Sequence, residues 1–210
     1  MLALFCAFRV FRGQCLVPMP DPAPDLDPDL LRRAQAGDEA AFGVIMRTHY
    51  ERTFRLACAI VHNEADARDI CQEVWLTIWK QLATFRGDSR FTTWLHPIVT
   101  RRALDHLRKR RRWFDRFLPF DSADDSVASV PEPATTDDAR QHAEGNETVA
   151  RVRAALAALP PKHRAVLALR ELEGLSYEEI AQATGIPAGT VMSRLHHARR
   201  LLAQKLGPKP

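Results

Sequence analysis

The stretch from residue 174 to 202 has the spacing of two short helices joined by a tight turn. Ser176 is a good N-cap, and Glu179 follows three residues later, which is the spacing of a capping box. Gly185 can adopt a positive φ where the first helix ends, and Pro187 suits the start of the next helix. Apolar residues recur at helical spacing along the second helix and are expected to face inward. These residues are Val191, Leu195, Ala198, Leu201 and Leu202. The pattern therefore predicts a helix-turn-helix.

The other face of the second helix is polar and basic. It carries Thr190, Ser193, Arg194, His197 and Arg200. A helix with short polar and basic residues near its N-terminus can enter a major groove and contact base edges. A two-helix element of an all-α core shows the same pattern, so this segment alone leaves DNA binding and plain packing open.

The rest of the chain also predicts helices, since no β-alternation of useful length occurs. We expect helices over residues 29–36, 38–61, 64–85, 91–112 and from 147 onward, with Pro160 and Pro161 at a helix boundary. The fold class is all-α, with two small helical domains on a flexible acidic linker. The predicted parts are a disordered N-terminal extension (1–28), a first helical domain (29–116), the linker (117–146), a second helical domain (147–206) and a tail (207–210).

Charge is distributed unevenly along the chain. The net charge is only +4, from 30 basic and 26 acidic residues. Residues 119–147 hold eight acidic residues and one arginine, a net −7, so the remainder carries +11. Two basic folded parts joined by an acidic segment suit a polyanionic partner.

Cysteine spacing and hydropathy exclude several classes of protein. The four cysteines show no metal-ligand spacing, and Cys58 and Cys71 are expected to behave as small core residues in a reduced, cytoplasmic protein. We expect no metal, no cofactor and no membrane insertion. Arg9 and Arg12 interrupt the apolar run of residues 1–20, so a disordered extension is favoured over a signal peptide, and a start at Met19 remains open.

Leu76 is an apolar residue on the polar side of the third predicted helix. On a helical wheel, seven residues fill one arc and form the core face: Ala67, Ile70, Cys71, Val74, Trp75, Ile78 and Leu82. Leu76 falls in the middle of the opposite, polar side, and Trp79 lies at its edge. An exposed leucine framed by acids indicates a partner contact, although single exposed leucines are also normal.

The next segment combines aromatic residues with arginines. Phe85, Phe91 and Trp94 alternate with Arg86 and Arg90, a composition that suits stacking on unpaired bases. Core packing is the alternative for the rings, and we expect Trp94 to be at least partly core. The helix that follows ends in five consecutive basic residues, 108–112, which favours contact with a polyanion.

These motifs together resemble a known family. Residues 66–95, with the basic helix that follows, are similar to region 2 of extracytoplasmic-function (ECF) sigma factors, and residues 156–202 are similar to region 4. The two segments occur in the family's order with an acidic linker between them. The resemblance implies a cytoplasmic, nucleoid-associated subunit that joins core RNA polymerase through its β′ and β subunits and recognises and melts promoter DNA. An anti-sigma partner is common in the family.

The resemblance also implies roles for individual residues. One set of residues matches the family surface that binds a coiled coil of β′: Asp66, Asp69, Gln72, Glu73, Leu76, Trp79 and Lys80. A second set matches the part that melts the −10 element and captures a flipped base: Arg86, Asp88, Ser89, Arg90, Phe91, Thr93, Trp94, Arg101, Arg102, Asp105 and Arg108. A third set matches the part that reads the −35 element: Ser176, Tyr177, Ala188, Thr190, Met192, Ser193, Arg194, His197 and Arg200. The linker matches a segment that threads the polymerase cleft.

Three positions depart from the family pattern. Pro97 stands where a basic residue is usual, and a proline inside a helix costs about 3 kcal/mol; we predict either a kink there or a helix that begins near His96. Arg101 replaces a frequent asparagine. Met192 replaces a frequent lysine or arginine, which removes one possible phosphate contact and changes the expected sequence preference.

Two other functions are alternatives. An autonomous helix-turn-helix regulator needs a dimer interface and an effector domain, and neither pattern is present. An α-helical enzyme needs a catalytic constellation, but the eight histidines form no HExxH or similar motif. We therefore expect no catalytic residues.

Overall fold

All regular structure in the described chain is helical. The structure is a computed structural model that describes residues 26–117 and 143–207. Its helices are α1 (Pro28–Gln35), α2 (Glu39–Val61), α3 (Glu64–Gln81), a 3₁₀ turn (Leu82–Thr84), α4 (Phe91–Phe117), α5 (Ala143–Ala157), α6 (Pro161–Glu171), α7 (Tyr177–Thr184) and α8 (Ala188–Leu206). The predicted all-α class is confirmed. Most of the predicted N-terminal extension and linker, and all but the first residue of the tail, lie outside the described residues.

Side-chain caps explain where the first helices begin. Asp27, Asp38 and Asn63 each accept a hydrogen bond from a backbone N–H in the first turn that follows them, which satisfies a donor that the helix cannot. Helix α2 ends at His62, which adopts the left-handed conformation with φ 60°. The predicted break between the helices at residues 62–63 is confirmed.

Helices α1–α4 form the first unit. All seven residues of the predicted core face of α3 are buried, and Cys71 among them has no exposed surface. Cys58 on α2 is partly buried, and both cysteines are free. Burial raises the pKa of Cys71 to about 12 and the pKa of Cys58 to about 11. Both thiols are therefore protonated core groups, as predicted.

Helices α5–α8 form the second unit. Their core includes Leu156, Leu159, Val166 and Leu167, all buried. Arg164 is also buried, and its Nη1 donates to the carbonyl of Ala157 at 2.9 Å. Burial lowers its pKa to about 10, so the guanidinium still carries its charge at neutral pH.

Several predicted helix boundaries were wrong. Helix α3 ends at Gln81 and gives way to a 3₁₀ turn, α4 continues to Phe117, and α5 begins at Ala143. The basic run of 108–112 is compatible with a helix, so nothing local ends α4 there. Pro97 lies inside α4, which begins at Phe91. The alternative start near His96 was therefore wrong.

The two units pack against each other. Helix α2 contacts α6, and α4 contacts both α6 and α7. Buried apolar residues consequently form one continuous core across both units.

Candidate nucleic-acid and polymerase surfaces

The polar side of α3 presents an apolar centre to solvent. Leu76 is 61% exposed, and four predicted polymerase-contact residues are exposed around the helix surface: Asp69, Gln72, Glu73 and Lys80. We call these five residues the Leu76 face. Trp79 is half-buried because its ring packs on Phe42, with centroids 4.7 Å apart. The sequence-based expectation that Leu76 points outward is confirmed.

Asp66 differs from the rest of its predicted set. Its carboxylate accepts from Arg110 Nη1 at 2.8 Å and lies 3.3 Å from His106 Nε2. Glu73 lies 3.6 Å from Arg102 Nη1. Asp66 near the start of α3 and Glu73 in its middle thus face basic residues of α4, and Asp66 holds the two helices together.

The loop before α4 separates its polar residues from its aromatic ones. Arg86, Asp88, Ser89 and Arg90 are all exposed, and Gly87 adopts φ 81° to make the turn. The loop thus offers a compact exposed set of charges and hydroxyls.

Phe91 is a correction to the predicted −10 set. Its ring is only 3% exposed, and it contacts the rings of Phe85, Trp94 and His49 at centroid distances of 5.7, 5.8 and 4.9 Å. Stacking on a base needs a free ring face, which neither Phe91 nor the equally buried Phe85 has. Their rings support the loop from below, and Trp94 is half-buried as expected.

His49 lies under this aromatic cluster. It is 1% exposed, and neither of its ring nitrogens has a hydrogen-bond partner among the described residues. Burial, together with nearby Arg52, lowers the pKa of His49 to about 4. The ring is therefore neutral at physiological pH.

The predicted −10 residues of α4 lie along a face next to the second unit. Arg101 and Arg108 are exposed, and Arg108 Nη1 donates to Asp105 at 2.6 Å. These three residues line a cleft of about 230 Å³ whose other wall is Ala183 and Thr184 of α7. Away from this cleft, Arg102 donates to Thr77 Oγ1 on α3 at 3.1 Å, and Thr93 is half-buried. We call the face formed by Thr100, Arg101, Leu104, Asp105 and Arg108 the α4 face.

The helix-turn-helix has the predicted local chemistry. Ser176 Oγ accepts from the backbone N–H of Glu179 at 3.1 Å, and Glu179 Oε2 accepts from the backbone N–H of Ser176 at 2.7 Å. Gly185 ends α7 in the left-handed conformation with φ 69°, and Pro187 precedes the first residue of α8. The capping box, the turn and the two helices are confirmed.

Helix α8 turns its polar side to solvent. The predicted inward residues Val191, Leu195, Ala198 and Leu202 are buried, and Leu201 is half-buried. Three predicted −35 contacts, Met192, Ser193 and Arg200, are exposed, and Met192 reaches 54%. Four other predicted −35 contacts on α8 are half-buried: Ala188, Thr190, Arg194 and His197. Ser176 and Tyr177, around the start of α7, are half-buried as well. We call the predicted contacts that lie on α8 the α8 face.

Contacts with neighbouring side chains orient His197 on the α8 face. Arg200 Nη2 lies 3.1 Å from His197 Nδ1, and the ring of His163 on α6 lies 5.0 Å from the ring of His197. Burial, together with the nearby His197 and Arg194, holds the pKa of His163 below its ordinary value. A neutral ring thus supports His197, a role that sequence reasoning did not assign to His163.

The largest feature that sequence reasoning missed is a charged contact between the units. Glu173 follows α6, and its side chain is 3% exposed. It accepts from Arg52 Nε of α2 and lies 3.0 Å from His96 Nε2 of α4. These partners are 121 and 77 residues away in the chain, so no local pattern points to them.

The described residues offer no grouping of three or more side chains suited to hold a metal ion. No helix within residues 26–117 and 143–207 is long and apolar enough to cross a membrane. The site is built from helix faces and one loop.

Comparison with known proteins assigns both units. Residues 45–113 match the family model described as Sigma-70 region 2, and residues 150–202 match Sigma-70, region 4. The RNA polymerase sigma-H factor of Pseudomonas aeruginosa is 36% identical over 189 residues, which cover 87% of this chain and 94% of that protein. This chain belongs to the ECF sigma factor family. It is a transcription initiation factor of RNA polymerase, as the resemblance implied.

Other relatives of this sigma factor agree. The ECF RNA polymerase sigma-E factor of Escherichia coli is 32% identical over 189 residues, covering 87% of this chain and 95% of that protein. A solved sigma factor, RpoE bound to the anti-sigma factor NepR from Bartonella quintana, has the same fold, with a TM-score of 0.59 at 24% identity over 80% of this chain and 98% of that one. A second, CnrH bound to the cytosolic domain of CnrY, gives a TM-score of 0.57 at 24% identity over 85% of this chain and 95% of that one.

Proposed function

We propose that this sigma factor divides its work among three surfaces. The Leu76 face docks on a coiled coil of the β′ subunit, the loop of residues 86–90 with the α4 face engages the opened −10 element, and the α8 face reads the −35 element. The chain performs this work by binding, without catalysis by its own residues. It acts in the cytoplasm at the nucleoid, on core polymerase and promoter DNA.

The observation that carries this proposal is the Leu76 face. An apolar side chain 61% exposed at the centre of a charged surface has the anatomy of a protein interface, with an apolar centre and a polar rim. Asp66 contributes indirectly by holding α3 against α4. The face is therefore presented on a rigid helix pair.

The α8 face supports the second part of the proposal. The N-terminal half of a recognition helix contacts base edges, and this half carries Thr190, Met192 and Ser193. Arg194 and Arg200 supply cations for backbone phosphates. Ser176 accepts a backbone hydrogen bond in the capping box, so we assign it to positioning α7.

Region boundaries and an inhibitor complete the proposal. We retain a polymerase- and −10-binding domain at 29–116, a linker at 117–146 and a −35-binding domain at 147–206, although α4 reaches Phe117 and α5 begins at Ala143. The two solved relatives are bound to an anti-sigma factor and to the cytosolic domain of CnrY. On that basis we propose that this chain also has a protein inhibitor.

A reconstituted transcription assay tests the proposal. Leu76→Asp places a charge at the centre of the proposed interface and should abolish co-elution with core polymerase and run-off transcription. Val44→Asp is the matched control, since Val44 is an exposed apolar residue of α2 outside the Leu76 face, and it should behave as the wild type. Equal transcription by both variants, with unchanged helicity, would contradict the proposal.

A further inference from the structure

Gln35, the last residue of α1, reaches the start of the loop of residues 86–90. Its side-chain Nε2 donates to the carbonyl of Leu82 at 3.0 Å and to the carbonyl of Phe85 at 2.7 Å. These acceptors lie 47 and 50 residues further along the chain. A side-chain amide has two N–H hydrogens, so one glutamine can donate to both carbonyls at once. Gln35 therefore ties α1 to the segment that leads from α3 into the loop.

Both acceptors lie where the chain leaves regular structure. Leu82 begins the 3₁₀ turn, and its carbonyl also accepts from the backbone N–H of Phe85 at 3.1 Å. Phe85 follows the turn in an extended conformation, with φ −76° and ψ 112°. Carbonyls at the end of a helical segment need donors from elsewhere. Gln35 supplies such donors at the point where the 3₁₀ turn gives way to the loop.

Gln35 and the aromatic cluster restrain different parts of Phe85. The ring of Phe85 is 6% exposed and packs on Phe91 and Trp94, with centroids 5.7 and 5.3 Å apart. This packing fixes the position of the side chain. The hydrogen bond from Gln35 instead fixes the peptide group between Phe85 and Arg86, because that group is planar. The bond therefore sets the direction in which the exposed loop leaves the core.

The corner that carries Gln35 is itself held in place. Arg33 Nε and Nη2 donate to the carboxylate of Asp38 at 2.9 and 2.6 Å, across the turn between α1 and α2. The same carboxylate accepts from the backbone N–H of Ala41 at 3.0 Å in the first turn of α2. Ala34, next to Gln35, is buried in the core. The amide of Gln35 is therefore presented by a fixed part of the fold.

We propose that Gln35 is a positioning residue for promoter opening, because its two hydrogen bonds hold the loop of residues 86–90 in the conformation that receives the opened −10 strand. This role rests on the proposed assignment of that loop to the −10 element. Gln35 acts through the backbone of Leu82 and Phe85. It precedes residues 45–113, which match region 2, so the role belongs to a part of the chain outside the matched segment.

The test uses the full chain with core polymerase and a promoter recovered by chromatin capture of the wild-type protein. Gln35→Met keeps the length of the side chain but removes both donors, whereas Gln35→Lys keeps a donor at similar reach. Gln81→Met is the matched control, because Gln81 is exposed and lies directly before the 3₁₀ turn. Fluorescence of 2-aminopurine in the non-template strand of the −10 element reports opening, and co-elution with core polymerase reports docking.

Gln35→Met should lower the equilibrium constant for opening about tenfold, the scale of one or two lost hydrogen bonds, while co-elution stays unchanged. Gln35→Lys should recover most of the opening, which a variant that only disturbs packing would not do. Gln81→Met should match the wild type. If Gln35→Met loses helicity, Gln35→Glu takes its place and should show the same loss, since it has the same shape and its carboxylate has no N–H donor.

Wild-type opening by Gln35→Met would overturn this role, as would a loss that Gln35→Lys fails to recover or a parallel loss of co-elution. A double variant, Arg86→Ala with Ser89→Ala, separates that failure from failure of the proposed function, because both residues are exposed on the loop itself. Normal opening by the double variant would overturn the assignment of the loop to the −10 element. Impaired opening by the double variant alone would overturn only the role of Gln35.

Discussion

The α4 face and the α8 face contrast in their surroundings. Both carry arginines and short polar residues suited to nucleic acid. Helix α7 forms one wall of a cleft along the α4 face, at which Arg101 and Arg108 stay exposed, whereas Met192, Ser193 and Arg200 lie on the exposed side of α8. The difference shows that the surroundings of a basic helix face depend on packing between distant parts of the chain, such as the contact of Glu173 with Arg52 and His96.

The largest expected effect tests whether the α4 face and the α8 face belong to one cooperatively folded structure. Leu195 is 1% exposed in the core beneath the α8 face, and Leu195→Ala should lower the free energy of unfolding by about 3 kcal/mol. Because the units share one core, urea denaturation should show a single transition that shifts as a whole. Met192→Ala, an exposed change on the same helix, should stay within about 0.5 kcal/mol. Two separate wild-type transitions would break the comparison.

A pH titration tests the burial of His49 beneath the aromatic rings at the start of α4. The pKa of His49 is about 4 in the folded protein, below the ordinary value of about 6.5, so the unfolded chain takes up the proton first. The free energy of unfolding should therefore fall as the pH drops from about 6.5 to about 4, by up to about 3 kcal/mol from this residue. Urea midpoints at pH 7, 6 and 5 measure the slope.

His49→Phe is the control for that titration, because it removes the proton but keeps a ring beneath Phe91. The slope should become shallower. The remainder should come from His62, whose pKa burial lowers to about 3, and from His163 and Glu173, whose pKa values also lie below their ordinary values. An identical slope in His49→Phe would show that His49 does not titrate as described.

A smaller effect is expected at α7, the helix that lies beside the α4 face. Ser176→Ala removes the side-chain half of the α7 capping box and should cost about 1 kcal/mol of stability. Ser193→Ala is a suitable control, since Ser193 is exposed and its hydroxyl donates to the carbonyl of Thr190 in its own helix. Chemical denaturation of both variants decides the point, and equal stability would argue against the cap.

The smallest effect concerns the exposed face alone. Met192→Arg adds a cation next to the phosphate backbone, so the polymerase complex should bind −35 duplex DNA more tightly. The salt slope, which is the slope of log affinity against log salt concentration, should steepen by about 0.9. Met192→Gln, polar but neutral, should leave the salt slope unchanged. An unchanged slope in Met192→Arg would show that this position does not approach the backbone.

Local sequence patterns predicted much of the fold and part of the site. The wheel of α3 placed Leu76 outward, and the spacing of Ser176, Glu179 and Gly185 predicted the helix-turn-helix, because caps and periodicity act over a few residues. The end of α4 was missed since charged residues carry no stop signal. Phe91 was assigned to a base contact because composition does not distinguish a packed ring from a free one.

The contact between the units was beyond such patterns. Glu173 meets Arg52 and His96 across 121 and 77 residues, and pairs so distant leave no periodic trace. Sequence reasoning therefore predicted both faces but not the packing that sets α7 beside one of them.

Side-chain oxidation by hydroxyl radicals tests the central claim most directly. Leu76 of the Leu76 face and Val44 of α2, both exposed, are compared in the free protein and in its complex with core polymerase without DNA. The account predicts that Leu76 is reactive in the free protein and protected in the complex, while Val44 is reactive in both. Equal reactivity of Leu76 in the two states would contradict it.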